Sequence, residues 1–329
     1  MTFVAAAYAP TPAFSNLGAG LSGTNIALDG VYQGWHGEKW TTRAAMPTAR
    51  YYLAAAAVAG KVYAVGGSNG TDLAVNEEYD PAANAWTAKA AMPTGRNSLV
   101  AAVVAGKVFA LGGYNGIRLA VNEEYDPAAN AWTTRAAMPT ARSNAAAAIV
   151  AGKVYVVGGF NGTAIAVNEE FDPPANAWTA KAGMPTAREH LAAAAVAGKG
   201  YAIGVIGAES VNEEFSPAAN SWMGKAAIPT PRFELAAAAV AGKVYALGGN
   251  TADPAVNEEY DPTSDAWTTK AAMPTGRSAL AVAILSGKVY ALGGLTGTPL
   301  AINEEFDPGT AQIFAGLTPN TQYSFKAKV

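Results

Sequence analysis

The chain has 329 residues, enough for two average domains or for one large all-β domain with appendages. Its 35 glycines and 19 prolines, with 50% hydrophobic and only 14% charged residues, are typical of many short strands joined by tight turns. The net charge of −3 provides no basic surface for nucleic acid or anionic lipid, and the lack of cysteine together with only two histidines excludes disulfides and a multi-histidine metal centre.

The first segment, residues 1–38, is rich in Ala, Gly, Ser and Thr and poor in charge. We interpret it as an N-terminal arm, either laid along a neighbouring subunit or poorly ordered. It lacks the basic start of a secretory signal, and no apolar run reaches the roughly 20 residues of a membrane span. The residues from Ala27 to Tyr32 resemble a degraded copy of the Asn-Glu-Glu strand of the repeat described next. A partial extra hairpin is therefore an alternative to the arm.

From residue 39 to residue 308 the sequence repeats itself six times. Each copy contains a Trp, a Pro-Thr-x-Arg phrase, an Ala-rich run, Gly-Lys and an aromatic residue, a Gly-Gly pair, and Asn-Glu-Glu-Tyr/Phe; the fourth copy has Gly204-Val205 in place of Gly-Gly. The Ala-rich run favours a helix by propensity alone, but it is short, ends at a glycine and recurs among strand patterns, so we predict a strand. The repeated tryptophans are Trp40, Trp86, Trp132, Trp178, Trp222 and Trp267.

This pattern resembles the Kelch repeat, whose Gly-Gly pair and later Tyr and Trp mark one four-stranded blade of a β-propeller. The resemblance implies an all-β fold, a six-bladed Kelch-type propeller with four antiparallel strands per blade. We name the strands A (Ala-rich), B (ending at Gly-Gly), C (Asn-Glu-Glu) and D (from the Trp). One D strand, near Trp40, precedes the first A strand, and no Trp follows the last C strand at Phe306. We therefore predict that these two ends pair and close the ring.

The last segment, residues 309–329, departs from the repeat. Its phrase Leu317-Thr-Pro-Asn-Thr-Gln-Tyr323 resembles a strand-entry segment of a fibronectin type III domain. Such a short piece cannot form a sandwich alone. Either residues 1–38 supply partner strands, or the natural chain continues past Val329, or a lone β-ribbon docks on the propeller.

Most charged residues recur once per repeat, which indicates a structural role. Strand alternation places Glu77 between blades, where a carboxylate requires a partner. We predict that each Pro-Thr-x-Arg arginine forms a bidentate pair with the corresponding glutamate. The alternative is a ring of arginines that binds an anion at the channel mouth. The arginines are Arg50, Arg96, Arg142, Arg188, Arg232 and Arg277.

The residues that differ between repeats are concentrated in the B–C loops and the D–A segments, which four antiparallel strands place on one face of the ring. We call it the variable face. One explanation is that the loop sequences diverged because nothing constrains them. This does not account for the aromatic residues, which together with Arg are favoured at binding sites. We predict a partner-binding face made of Tyr51, Tyr52, Asn69, Asp72, Tyr114, Asn115, Arg118, Phe160, Asn161, Glu189, His190, Phe233, Glu234, Asn250 and Asp253.

Two catalytic routes follow from the Kelch resemblance. Kelch-type copper-radical oxidases need a Tyr–Cys crosslink and histidine ligands, which this sequence does not supply. Kelch-type sialic-acid mutarotases need only acid/base side chains near the channel, and Glu189, His190 and Glu234 lie on adjacent blades. A His beside a Glu is also typical of an ordinary surface pair.

We interpret the chain as a non-enzymatic protein- or glycan-binding or structural propeller. We expect it to be a component of an extracellular or virion-surface assembly, of phage tail, fibre or adhesin type, and to be attached through the terminal arms. A cytoplasmic location is the alternative. The alternative function is a carbohydrate-converting enzyme that resembles the mutarotases. We expect no cofactor, no metal, no nucleic-acid partner and no membrane insertion.

Overall fold

The structure is a computed structural model that describes residues 37–204 and 210–309, with four further strands described as backbone: Leu21–Ser22, Asn25–Ile26, Tyr32–Trp35 and Ala311–Phe314. All regular secondary structure in these residues is β-strand. None of it is a helix that could cross a membrane. The chain divides into two units, Trp40–Asp307 and the remaining terminal residues.

The unit Trp40–Asp307 forms six four-stranded antiparallel sheets, arranged as the blades of a propeller. The A strands are Ala54–Val58, Val100–Val104, Ala146–Val150, Ala192–Val196, Ala236–Val240 and Ala281–Leu285. The B strands are Lys61–Val65, Lys107–Leu111, Lys153–Val157, Lys199–Ile203, Lys243–Leu247 and Lys288–Leu292. The C strands are Asn76–Asp80, Asn122–Asp126, Asn168–Asp172, Asn212–Ser216, Asn257–Asp261 and Asn303–Asp307. The D strands are Ala85–Ala88, Ala131–Thr134, Ala177–Lys181, Ser221–Gly224, Ala266–Thr269 and Lys39–Thr42. The predicted fold class is confirmed.

The ring closes through the strand that contains Trp40. Lys39–Thr42 lies beside Asn303–Asp307 as the fourth strand of the last blade. The Trp40 ring lies 4.8 Å from the ring of Phe306, and Arg43 forms an ion pair of 2.8 Å with Glu305. The predicted pairing of the two ends of the repeat region is therefore confirmed.

We expect deletion of residues 1–46 to lower the melting temperature by roughly 10 °C or more, because it removes strand D of the last blade and the buried Met46. Deletion of residues 1–37 is the matched control, since it keeps all 24 strands of the six blades. Thermal unfolding followed by circular dichroism measures both. Equal melting temperatures for the two deletions would show that ring closure does not contribute to stability.

The alanine-rich runs form the A strands around the central channel, as predicted against their helix propensity. In the first blade Ala54, Ala56 and Val58 are buried between blades, whereas Ala55 and Ala57 are half-buried. The six A strands line a central cavity of about 330 Å³. Small side chains are required there because six strands converge on one axis.

Larger side chains fill the widening space between blades. Tyr63 of the first blade is buried, and its ring lies 5.7 Å from Tyr125 of the second blade. Tyr125 in turn packs 5.0 Å from Trp132. The indole of Trp132 donates a hydrogen bond of 2.8 Å to the carbonyl of Ala90, which follows strand D of the first blade. Each blade is thus joined to the preceding one by aromatic packing and by an indole hydrogen bond.

The predicted pairing of the repeated arginines with glutamates is confirmed, but the pairs are not bidentate. Arg50 Nη2 forms an ion pair of 2.9 Å with Glu77 Oε2 and donates a hydrogen bond of 2.9 Å to the carbonyl of Ala64. The other carboxylate oxygen, Oε1, accepts a hydrogen bond of 2.7 Å from the hydroxyl of Thr48. Burial lowers the pKa of Arg50 to about 10, opposed by the charge of Glu77. The corresponding arginines are at most 3% exposed, so the alternative of an anion-binding ring has no exposed guanidinium group.

The terminal unit contains one pair of strands that joins the two ends of the chain. Tyr32–Trp35 pairs antiparallel with Ala311–Phe314, with Ala311 opposite Trp35. Of the alternatives for the C-terminal segment, this pairing agrees with partner strands supplied by residues 1–38. The fibronectin-like phrase, residues 317–323, lies outside the described residues.

Candidate functional site

The variable face is a continuous structure because its two sets of connections pair with each other. Tyr51 and Ser68 exchange two backbone hydrogen bonds, of 3.0 Å and 2.8 Å, that join a D–A segment to a B–C loop. Four other blades repeat this bridge; the pairs are Asn97–Tyr114, Ser143–Phe160, Phe233–Asn250 and Ser278–Leu295. The prediction that these connections share one face is therefore confirmed.

Six residues, one from each repeat, encircle the channel mouth on the variable face. Each has a left-handed backbone, with φ between 50° and 55°. Each backbone N–H donates to the carbonyl of its counterpart in the preceding blade at 2.9–3.0 Å, so six hydrogen bonds form a closed ring. We call this ring the collar. Its members are Tyr52, Ser98, Asn144, His190, Glu234 and Ala279.

The collar has one backbone geometry and six different side chains. A left-handed conformation of a residue other than glycine costs on the order of 1 kcal/mol, and such residues are concentrated at functional sites. Here the same cost recurs in every blade, and the ring of hydrogen bonds offsets it. The repeat therefore presents a different side chain at the same position of each blade.

The collar surrounds a cavity of about 100 Å³. Its apolar lining comes from the residue that follows each collar position: Leu53, Leu99, Ala145, Leu191, Leu235 and Leu280. The polar part consists of the collar side chains other than that of Ala279. A ligand in this cavity would meet apolar groups on one side and hydrogen-bonding groups on the other.

Tyr52 extends across the mouth of the channel. Its ring lies 5.7 Å from the imidazole of His190, which belongs to the opposite blade, and its hydroxyl donates to Glu234 Oε1. The other oxygen of Glu234 accepts a hydrogen bond of 2.9 Å from the hydroxyl of Ser278. Burial, followed by the hydrogen bond to Glu234, raises the pKa of Tyr52 above its ordinary value. Tyr52 is therefore a neutral donor at physiological pH.

The predicted trio Glu189, His190 and Glu234 is brought together at the collar. His190 Nε2 lies 3.6 Å from Glu189 Oε2, and Nδ1 lies 3.8 Å from Glu234 Oε1. Burial lowers the pKa of His190, although the two carboxylates oppose this effect. His190 is therefore uncharged at neutral pH, and the two carboxylates flank a neutral ring.

We expect NMR titration of the imidazole signals to place the pKa of His190 below the ordinary histidine value. The variants Glu189→Gln and Glu234→Gln should lower it further, because each carboxylate raises the pKa of His190. A folded-state pKa below the unfolded one also means that stability is lost as the pH falls below the unfolded value. The variant His36→Gln assigns the signals. A pKa above the ordinary value, or one that rises in the glutamine variants, would contradict this arrangement.

The aromatic residues of the predicted partner-binding face are half-buried, and the loops that carry them pair with each other. The ring of Tyr51 lies 5.1 Å from that of Tyr52, and the ring of Phe233 lies 6.3 Å from that of His190, so both are next to the collar. A second cluster lies away from the collar. The guanidinium carbon of Arg118 lies 4.6 Å from the ring centre of Phe160 and 5.9 Å from that of Tyr114.

The remaining predicted residues are exposed positions of the B–C loops and are absent from the cavity lining. Asp72 accepts a hydrogen bond from the Asn97 side chain. The others are Asn69, Asn115, Asn161, Asn250 and Asp253. Among the described residues, no group of three or more His, Asp or Glu side chains is placed to hold a metal ion.

Sequence reasoning missed three polar contributors to the site, as well as Ala279 of the collar and the apolar residues that line the cavity. Ser98 and Asn144 are collar residues, and Ser278 holds Glu234. Asn144 Nδ2 also donates to Glu189 Oε2 at 3.4 Å. Ser98 and Asn144 could have been found from the sequence, because they occupy the same repeat position as Tyr52 and His190.

Comparisons with known proteins agree with this architecture. Residues 49–93, 95–139 and 141–185 each match the Kelch motif. No curated protein sequence matches the chain significantly. Among solved structures, one titled "Structure of YjhT" is similar, with a TM-score of 0.70 and 17% sequence identity over 82% of this chain and 99% of that chain. At this identity the similarity shows the fold alone. The chain is thus a six-bladed β-propeller that contains Kelch motifs.

Proposed function

We propose that the chain is a non-enzymatic binding module that holds a polar group of a protein or surface glycan at the collar. The contrast between the two faces of the ring carries this proposal. The collar positions share a backbone geometry but carry six different side chains, whereas the turns between strands A and B on the opposite face repeat as Ala-Gly or Ser-Gly. Different side chains on a constant backbone are what a binding site grafted on a repeated scaffold requires.

The composition of the collar supports binding of a polar group. Hydroxyl, amide, imidazole and carboxylate groups surround one cavity, and Tyr52 contributes an aromatic ring. Binding cavities commonly combine an apolar lining with a few convergent polar groups. The collar cavity has this combination.

A glycan array with neutral, amino and acidic sugars tests the proposal. We expect the double variant Tyr52→Ala/Glu234→Ala to lose at least tenfold of the signal that the wild-type chain gives. Met223→Ala is the control, because Met223 is 61% exposed on an outer strand, and its signal should equal that of the wild type. Binding that is unchanged in the double variant would overturn the collar as the binding site.

A carbohydrate-converting enzyme is the second candidate. Tyr52, His190 and Glu234 touch in one cavity, and general acid/base catalysis needs groups in such contact. NMR of anomer exchange in N-acetylneuraminic acid tests this candidate. Faster exchange with the wild type, lost in Glu234→Gln, would favour the enzyme. Among the described residues that line the cavity, none is a Lys or Arg that could pair with the carboxylate of such a sugar.

Attachment to an extracellular or virion-surface assembly through the terminal segments stays a prediction. Most of residues 1–38 and 309–329 lie outside the described residues. A pull-down of the native assembly with the full chain, compared with the same chain lacking residues 1–37, measures whether the N-terminal segment contributes to attachment.

A further inference from the structure

The carboxylates at the collar differ from the repeated carboxylates of the propeller. In each blade the inter-blade glutamate has an arginine partner, as in Glu77–Arg50, and its neighbour has a Lys or Arg partner, as in Glu78–Lys89 at 3.1 Å. In the described part of the chain, neither Glu189 nor Glu234 has a Lys or Arg within ion-pair distance. Their only such partner is His190, which is uncharged at neutral pH.

Glu234 accepts hydrogen bonds from two hydroxyl groups. Its two donors, the hydroxyls of Tyr52 and Ser278, are neutral. A carboxylate has about four acceptor sites, so sites remain for a ligand. The Glu234 side chain is 11% exposed and lines the cavity, and Glu189 Oε2 lies 3.6 Å from Nε2 of His190. A negative charge in a mostly buried position favours a cationic ligand.

The rest of the lining indicates what kind of cation fits. The apolar side of the cavity consists of leucine side chains and Ala145, which offer no ligand atoms to a hydrated inorganic ion. The ring of Tyr52 presents a π-system, and aromatic rings attract organic cations. An engineered cavity of about 150 Å³ holds benzene. A cavity of about 100 Å³ therefore suits an ammonium group with a few attached carbons rather than a whole oligosaccharide.

We propose that the collar cavity binds a small organic ammonium group, whose charge faces Glu234 and Tyr52 and whose carbon atoms lie on the leucine side chains. The inference rests on the proposed function and names the chemistry of the bound group. An ammonium group of this kind is carried by lysine side chains of proteins and by amino sugars of glycans. A ligand with a carboxylate would be repelled by Glu189 and Glu234.

Choline and its neutral analogue 3,3-dimethylbutan-1-ol test the inference, because they have nearly the same shape and differ in charge. Isothermal titration of the full chain should show choline binding at least tenfold more tightly than the analogue. Glu234→Gln should weaken choline binding at least tenfold. Asp126→Asn is the matched control, since it removes the same charge at the opposite face, where Asp126 pairs with Lys107, and it should bind choline like the wild type.

Equal affinity for choline and the neutral analogue would overturn the inference, as would unchanged choline affinity in a folded Glu234→Gln variant. Circular dichroism of each variant confirms folding. If the chain binds neutral sugars through the collar but does not bind choline, the inference of an ammonium ligand is wrong and the proposed binding function stands. If the collar binds neither choline nor a neutral sugar, the ammonium inference and the proposed binding function are both wrong.

A second set of probes distinguishes the two sources of the ammonium group. Glucosamine is compared with N-acetylglucosamine, and the N-methylamide of Nα-acetyl-lysine with its Nε-acetylated form. Tighter binding of glucosamine than of the lysine derivative assigns the group to a glycan, and the reverse order assigns it to a protein. If acetylation of the amine changes neither affinity, the ammonium inference is wrong.

Discussion

Replacement of Glu123 by Gln is expected to lower the free energy of unfolding by about 3–5 kcal/mol, because it leaves the buried charge of Arg96 without a partner. The Arg96 and Glu123 side chains are 0% and 2% exposed and lie 2.6 Å apart. Thr94 donates to the other oxygen of Glu123, so the variant also disturbs this hydrogen bond. Urea denaturation of the variant and the wild type measures the loss.

Asp126→Asn in the same blade is the control for this result. It also removes one carboxylate charge, but the Asp126 and Lys107 side chains are 32% and 33% exposed. An exposed ion pair contributes about 0–1 kcal/mol, so the control should unfold nearly like the wild type. Similar losses in the two variants would show that burial of the repeated pairs does not determine their contribution.

Gly112→Ala is expected to lower the free energy of unfolding by more than about 3 kcal/mol, because a clash with the backbone adds to conformational strain. Gly112 has φ +62°, and a Cβ atom there would lie 2.7 Å from the carbonyl oxygen of Arg142 and 2.9 Å from Cε of Met138. The close approach is required because the carbonyl of Arg142 accepts the N–H of Gly113 at 2.9 Å. The first glycine of the Gly-Gly pair therefore brings two blades into contact.

Gly116→Ala separates strain from the clash. Gly116 has φ +97°, but a Cβ atom there would meet no atom within 4 Å. We expect Gly116→Ala to lower the free energy of unfolding by roughly 1 kcal/mol, the cost of backbone strain alone. The contrast also agrees with the fourth repeat, which keeps the first glycine as Gly204 although the second is Val205. If both alanine variants unfold alike, the close contact at Gly112 is not the reason for the glycine.

The repeat predicted the blades well because its signals are local and recur six times. The Trp of each copy identifies strand D, and the unmatched strand near Trp40 predicted ring closure. The pairing of Arg50 with Glu77 followed from strand alternation. Its geometry did not, because the Thr48 hydroxyl occupies the second carboxylate oxygen. The Thr that precedes every repeated Arg by two residues was the available signal.

The collar was not predictable in the same way. Its hydrogen bonds join residues of neighbouring repeats, and its left-handed backbone occurs at Tyr52, Glu234 and Ala279, which are residue types without a preference for that conformation. Sequence variation located the face, and it placed Glu189, His190 and Glu234 on it. It did not distinguish the collar from the outer loops, where Asp72 and Arg118 differ at the same repeat position although neither lines the cavity.

A crystal structure of the chain with bound choline tests most directly whether the collar is the ligand site. The predicted result is electron density for the trimethylammonium group inside the collar, beside the Tyr52 ring and the Glu234 carboxylate. Density for choline only at the outer B–C loops or on the opposite face, at a concentration that saturates binding in solution, would contradict it.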